Sequence, residues 1–250
     1  MTSVAAMIDT SERRVALVTM AHPDDAEFGC GGAVAAWVRD GWEVHYVVCT
    51  DAASGGPDEA IDVSQEARRR ITELRKAEQR QACHILGVAS VTFLDYHDGL
   101  LQPTLELRRD LVRLMRQYRP TRVVCQSPVR TWRPVYTIGR HHPDHLAAGE
   151  ATLAALYPAA QNPWDFPELL AEGLAPHKVR EVLVIGAPEP NFAVDITSTI
   201  DVKLAALRAH DSQVGARFAE IESRLRKLAA DLGEPHGMQY AEVFHRAENA

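Results

Sequence analysis

His22 and the neighbouring carboxylates Asp24 and Asp25 stand directly after a short apolar run, Val15 to Ala21. A second pair, His142 and His145, opens a helical pattern near mid-chain. A histidine and carboxylates leaving a strand end can hold a divalent cation, and two histidines three apart at a helix start share one face. Each cluster alone is more often turn chemistry than a metal site. Together they supply a ligand set of the kind a hydrolytic metal takes, His22, Asp25 and His145, with Asp24 and His142 left beside it. Metal-assisted hydrolysis needs one group to take a proton from water and another to stabilise an oxyanion. The surplus carboxylate and imidazole meet that need. Two nitrogens and a carboxylate do not force zinc, so iron or another divalent ion also fits.

The elements around these residues explain how they could meet. Val15 to Ala21 reads as a strand and Gly31 to Asp40 as a helix with Gly41 at its end. Glu43 to Thr50 is a second buried strand, and Asp51 to Pro57 is a loop. Ser64 is placed to cap a helix running through Leu86, closed by Gly87. Val91 to Asp95 is a third strand, Thr104 to Tyr118 an amphipathic helix, and Thr121 to Gln126 a fourth strand. This rhythm predicts βαβ units and an α/β fold with a mainly parallel sheet flanked by helices. Ligands bind beyond the carboxyl ends of such strands, near the topological switch point. His22, Asp51, Asp98 and the segment after Gln126 all leave strand ends on that side.

Beyond it, 127–141 is a long loop, and His142 to His145 runs into a helix with Pro143 in its first turn. A strand is expected at Glu181 to Ile185, a small element from Val194, and helices at Thr199 to Ala209 and about Ala216 to Leu232. The tail from Gly233 is weakly specified. No repeat or linker interrupts the chain, so 1–250 reads as a single domain, with 1–14 a mobile leader and about 190–250 a C-terminal extension.

Composition excludes several classes. Hydrophobic residues at 46% and charged residues at 24% suit an ordinary soluble domain. The formal net charge of −7 argues against a non-specific nucleic-acid binder. Nothing approaches the roughly 18 consecutive apolar residues of a membrane span. Cys30, Cys49, Cys83 and Cys125 form no C-x-x-C pair, which suits a reducing cytoplasm, and they read as core.

Ala21-His-Pro-Asp-Asp25 with Gly31-Gly32, followed by His142-Pro-Asp-His145, resembles the PIG-L/LmbE family of zinc-dependent N-deacetylases. The likeness includes Leu74-Arg75 before Leu86-Gly87-Val88, the Tyr96-His-Asp98 loop, and Val194-Asp-Ile-Thr197 leading to Ala209-His-Asp-Ser-Gln213. It implies a Rossmann-like fold, zinc held by His22, Asp25 and His145, Asp24 as general base, and His142 as a positively charged stabiliser of the tetrahedral intermediate. It implies that Arg75 and Asp98 contact an N-acetylglucosamine-type substrate, and it brings His210 to the same site. Homo-oligomers, trimers or hexamers, are common among such proteins. Ala26 stands where many members have Glu, which resembles the branch containing diacetylchitobiose deacetylases.

Asp144 is placed to orient a ligand histidine from behind, or simply to favour a helix start. His141 is expected to face solvent, and Arg68, Arg69, Arg70 and Lys76 to form a solvated helix face. Trp132 and Tyr136 would be able to stack on a sugar. Three rival readings remain. One is a nucleotide-binding oxidoreductase using Gly29, Gly31 and Gly32 with Asp51, although His22 to Phe28 separate the strand end from the first glycine. Another is a metal-binding scaffold, which would not need Asp24 and His142. The nearest keeps the chemistry and makes the protein an amidase acting on a thiol conjugate.

Overall fold

In the computed structural model, which describes residues 13–132 and 141–249, one seven-stranded sheet runs in the order β3-β2-β1-β4-β5-β7-β6. The strands are β1 (Val15–Met20), β2 (Glu43–Thr50), β3 (Ser90–Tyr96), β4 (Arg122–Gln126), β5 (Glu181–Ile185), β6 (Phe192–Asp195) and β7 (Ala241–Glu248). β3, β2, β1, β4 and β5 pair in parallel, whereas β7 runs antiparallel to both β5 and β6. The chain winds outward from β1 in both directions, so the crevice lies between the ends of β1 and β4. Both histidine clusters open onto it.

β1 is buried along its whole length, as a central parallel strand must be when both faces are covered. Alternation then divides its side chains between two cores. Leu17 packs with Val47, Leu111, Met115, Val123 and Ala148, under α3 (Leu105–Tyr118) and α4 (Pro143–Ala154). Ala16, Val18 and Met20 pack with Val34, Trp37, Tyr46 and Phe244, under α1 (Asp25–Arg39) and α2 (Gln65–Leu86). A third cluster, including Ile196, Ile200, Leu204, Ile221 and Leu225, joins α6 (Ile200–Arg208) and α8 (Phe218–Gly233).

Two elements differ from expectation. Helix α1 begins at Asp25, not at Gly31, so the glycines lie inside it. Glycine weakens a helix interior by about 1 kcal/mol, but a Cβ at Gly32 would lie 2.8 Å from Ile196, and the close approach of the C-terminal segment requires its absence. Second, the weakly specified tail contains β7, which inserts between β5 and β6. Its acidic Glu242 conceals an inward-facing position. The Glu242 carboxylate accepts hydrogen bonds from the Gly32 and Ala33 N–H groups, and Lys203 Nζ donates to it at 2.5 Å. A fully partnered buried charge can occupy a site that pattern reading assigns to an apolar residue. The expected leader lies, except for residues 13 and 14, outside the described residues.

Candidate metal centre and its supports

The segment between β1 and α1 is pinned from both neighbouring strands. The Ala21 N–H donates to Gln126 Oε1 at 3.0 Å, and the Thr50 N–H donates to Ala21 O at 3.0 Å. The chain then turns through Asp24, whose φ of 82° is left-handed. For a residue with a Cβ this costs about 1–2 kcal/mol, so other contacts must hold it. The Asp24 N–H donates to Gln79 Oε1 at 3.0 Å, and Arg75 Nη2 donates to Pro23 O at 2.9 Å and Asp24 Oδ2 at 3.2 Å. Asp25 opens α1 and accepts the His22 N–H through Oδ2 at 2.8 Å.

On the other side of the crevice α4 starts with Pro143, and His142 caps it by accepting the Asp144 N–H through Nδ1 at 3.2 Å. A Cβ at Gly149 would lie 2.3 Å from the backbone oxygen of Gln126, so only glycine lets α4 approach the end of β4 this closely. That approach brings His145 to the metal cluster. His22 Nδ1 lies 3.3 Å from His145 Nε2 and 3.5 Å from Asp25 Oδ2, and His145 Nε2 lies 3.1 Å from Asp25 Oδ1. A tetrahedral ion with bonds of about 2.0–2.1 Å places its ligand atoms about 3.3 Å apart. The three side chains therefore fit a divalent metal.

The other face of His22 is also partnered. Its Nε2 lies 3.0 Å from Asp98 Oδ1 and 3.2 Å from Asp144 Oδ2. Asp144 is fully buried and also accepts the N–H groups of Gly99 and Leu101, at 2.7 and 3.2 Å. Carboxylates behind Nε2 fix its proton there and leave Nδ1 facing His145 and Asp25. His142 also has a nitrogen within 4.8 Å of nitrogens on His22 and His145, so these three histidines form a further group that can hold a metal ion.

Charge balance also favours a cation. Burial opposes charge on the His22 imidazole, yet Asp144, Asp25 and Asp98 push it up to about 12. Burial would raise Asp25, but His145 and His22 hold it well below the usual carboxylate range. Burial pushes the Asp24 carboxyl up to about 7, against the pull of Arg75 and with repulsion from Asp25. Burial and the neighbouring His22 charge hold His142 below its ordinary value.

The structure gives each remaining site residue a definite set of partners. His142 accepts the Asp144 N–H through Nδ1, which leaves Nε2 as the nitrogen free to donate. Asp98, expected at the substrate, uses Oδ1 on His22 and Oδ2 on the Ser54 N–H, and so supports the histidine. Arg75 is 5% exposed and its guanidinium is turned to Asp24. His210 is 0% exposed. Its Nε2 faces Glu27 Oε2 at 3.3 Å.

His141 is buried, with Nε2 3.1 Å from Thr131 Oγ1, and does not face solvent. Trp132 is exposed, and Tyr136 lies outside the described residues. Gln79 and Glu27 escaped attention, although the (i, i+4) spacing of Arg75 and Gln79 puts them on one helix face.

The glycines of the oxidoreductase reading are packed within α1, and Asp51 Oδ1 accepts the N–H groups of Ala53 and Asp98. Neither is open to a dinucleotide. The cysteines are free and buried; burial pushes the Cys125 thiol up to about 12, which suits core packing and not nucleophilic attack. Among the described residues no helix is long and apolar enough to cross a membrane.

The chain is similar to several known proteins. The chain is 34% identical over 222 residues to a diacetylchitobiose deacetylase from Thermococcus kodakarensis, covering 88% of this chain and 78% of that protein. It is 30% identical over 234 residues to a 1D-myo-inositol 2-acetamido-2-deoxy-alpha-D-glucopyranoside deacetylase from Actinosynnema mirum, covering 79% and 80%. Among solved structures, the N,N'-diacetylchitobiose deacetylase from Pyrococcus horikoshii superposes with a TM-score of 0.82 at 28% identity, over 95% of this chain and 85% of that one. Residues 17–156, which include both histidine clusters, match the PIG-L family described as GlcNAc-PI de-N-acetylase, and the chain belongs to that family.

Proposed function

We propose that this protein is a zinc-dependent N-deacetylase that hydrolyses the acetamide of an N-acetylglucosamine-type substrate, releasing acetate and a free amine. The observation that carries the reading is the convergence of His22, Asp25 and His145 at ligand spacing, with Asp24 and His142 alongside. The kinship with deacetylases of N-acetylated sugars supports it. The four unpaired buried thiols are consistent with a cytoplasmic enzyme.

His22, Asp25 and His145 would hold the metal, which when bound supplies Lewis acidity to the acyl oxygen and to water. Asp24 takes the water proton as oxygen adds to the carbonyl carbon. Arg75 keeps its carboxylate aimed, and a carboxyl near neutrality suits a group that both takes and returns a proton. His142 Nε2–H donates to the oxyanion. When the C–N bond breaks, the leaving nitrogen takes from Asp24 the proton that came from water. A neutral His142 would have to become an imidazolate to deliver it, so the two groups divide the work.

The test is to load the protein with stoichiometric zinc and measure acetate release from N-acetylglucosamine, N,N'-diacetylchitobiose and N-acetylglucosaminyl conjugates of inositol and malate. Acetate and the matching amine are expected from at least one. A fully loaded protein that deacetylates none of them overturns the assignment, and cleavage of a thiol-conjugate amide alone would favour the amidase reading.

A further inference from the structure

Beneath Asp24 runs a row of polar side chains that the proposed reaction does not touch. Gln79 Oε1 accepts the Asp24 N–H at 3.0 Å, and Gln79 Nε2 donates to Glu27 Oε1 at 3.0 Å. Glu27 Oε2 in turn faces His210 Nε2 at 3.3 Å. Gln79 is 1% exposed, and Glu27 and His210 are 0% exposed. The row draws on three parts of the chain: the start of α1, the middle of α2, and the residue before the short helix α7 (Asp211–Val214). Burying a carboxylate and an imidazole costs stability that apolar side chains of similar size would not, so packing alone does not account for the row. Its upper end meets the backbone amide of the residue with φ of 82°.

The side-chain types suit that position. A carboxamide accepts from the Asp24 N–H with its oxygen while donating to Glu27 with its nitrogen. Glu27 fixes which way the amide is turned, because its carboxylate demands the NH₂ end. His210 Nε2 stands 3.3 Å from the remaining Glu27 oxygen, within ion-pair distance but without hydrogen-bond geometry.

We infer that Gln79, braced by Glu27 and His210, is a positioning residue that holds the Asp24 backbone in its left-handed turn and so aims the carboxylate. The inference rests on the reading of Asp24 as the base.

The test compares metal-loaded wild type with Gln79→Met, Gln79→Glu and the double exchange Glu27→Gln/Gln79→Glu. Gln79→Met keeps the volume and removes both hydrogen bonds. Gln79→Glu sets two carboxylates face to face. The double exchange restores every donor and acceptor along the row by swapping the amide and the carboxylate between the two positions. The relocated amide can donate to the relocated carboxylate and turn its oxygen to His210, and that carboxylate can accept the Asp24 N–H. Both single variants should retain metal and keep KM within about twofold, while kcat falls on the order of tenfold or more. The exchange should recover kcat to within about threefold of wild type. A crystal structure of Gln79→Met should show the Asp24 turn displaced. Wild-type kcat in Gln79→Met, an undisturbed Asp24 turn, or no recovery in the exchange would each overturn the inference. Were wild type itself inactive on every N-acetylated sugar, the proposed function would fail while the crystallographic comparison still decided the positioning role.

Discussion

Asp144 Oδ2 stands 3.2 Å from His22 Nε2, joining residues 122 positions apart in the chain. Because Asp98 shares the same nitrogen, the His22 proton is held on Nε2 and Nδ1 is directed at His145 and Asp25. Asp144 also ties the Gly99–Leu101 loop to the start of α4 through two backbone hydrogen bonds. One carboxylate therefore joins α4, the loop after β3, and the ligand at the end of β1.

Replacing that carboxylate should loosen the metal without touching it. Asp144→Asn retains the volume but turns an NH₂ group toward a histidine proton or a backbone donor. Metal affinity is expected to fall about 10–100-fold, the usual loss when a partner behind a ligand histidine is removed. Competition with a chromogenic chelator measures this. An unchanged affinity would mean that Asp98 alone orients His22.

Asp24 and its neighbours separate by role. Asp24→Asn should bind metal at wild-type stoichiometry and lose activity by about 10³-fold, since an amide cannot take a proton from water. His145→Ala should show the reverse order of effects, losing metal first and activity as a consequence. Metal analysis beside kcat distinguishes them, and equal metal retention in both variants would refute the division of roles.

Metal and proton compete for His22. In the metal-free protein its imidazole is raised from 6.5 to about 12, so a bound metal must displace a proton over the whole neutral range. Affinity should climb with pH, on the order of tenfold per unit for each proton released. Calorimetry in buffers of different ionisation enthalpy counts that proton. The stability consequence has the opposite sign. A group whose folded pKa is raised stabilises the fold fully below its unfolded pKa, and the contribution fades as pH rises toward the folded value. The metal-free protein should therefore lose more melting temperature between pH 7 and pH 9 than a metal-free His22→Gln variant. A parallel decline in the two proteins would remove His22 as the cause.

The parts of this site that were legible share a physical origin. The run from Val15 to Ala21 is apolar because β1 is covered on both faces, and His22 follows its end because the crevice lies there. Gly87 closes α2 with φ of 78°, and Ser64 Oγ accepts the Ala67 N–H at its start, so both ends announced themselves by residue type. What escaped notice involves polar residues that are buried. Glu242 reads as surface until Lys203 and the α1 amides are placed around it. Gln79 lies among charged residues on α2, and only the packing of α1 and the segment before α7 against that helix reveals its inward face. His210, followed by Asp211, gives no local sign of full burial. Pattern reading scores polarity, whereas the fold distinguishes polar groups that are partnered from those that are solvated.

Gly149 shows how far the geometry of the site depends on packing away from it. A methyl group there would stand 2.3 Å from Gln126 O and 3.0 Å from Pro128 N, both backbone atoms. Neither can swing aside as a side chain would. Gln126 cannot retreat easily either, because its Oε1 holds the Ala21 N–H next to His22. Gly149→Ala should therefore push α4 outward and carry His142 and His145 with it. Alanine has the higher helix propensity, by about 1 kcal/mol, so a change confined to the helix would raise stability. The expected result is the opposite: a lower melting temperature in the metal-free protein and weaker metal binding. Thermal denaturation and chelator competition on the same variant check both. A protein that is more stable and binds metal normally would show that α4 can adjust without moving its histidines, and the close approach at Gly149 would then have no part in assembling the site.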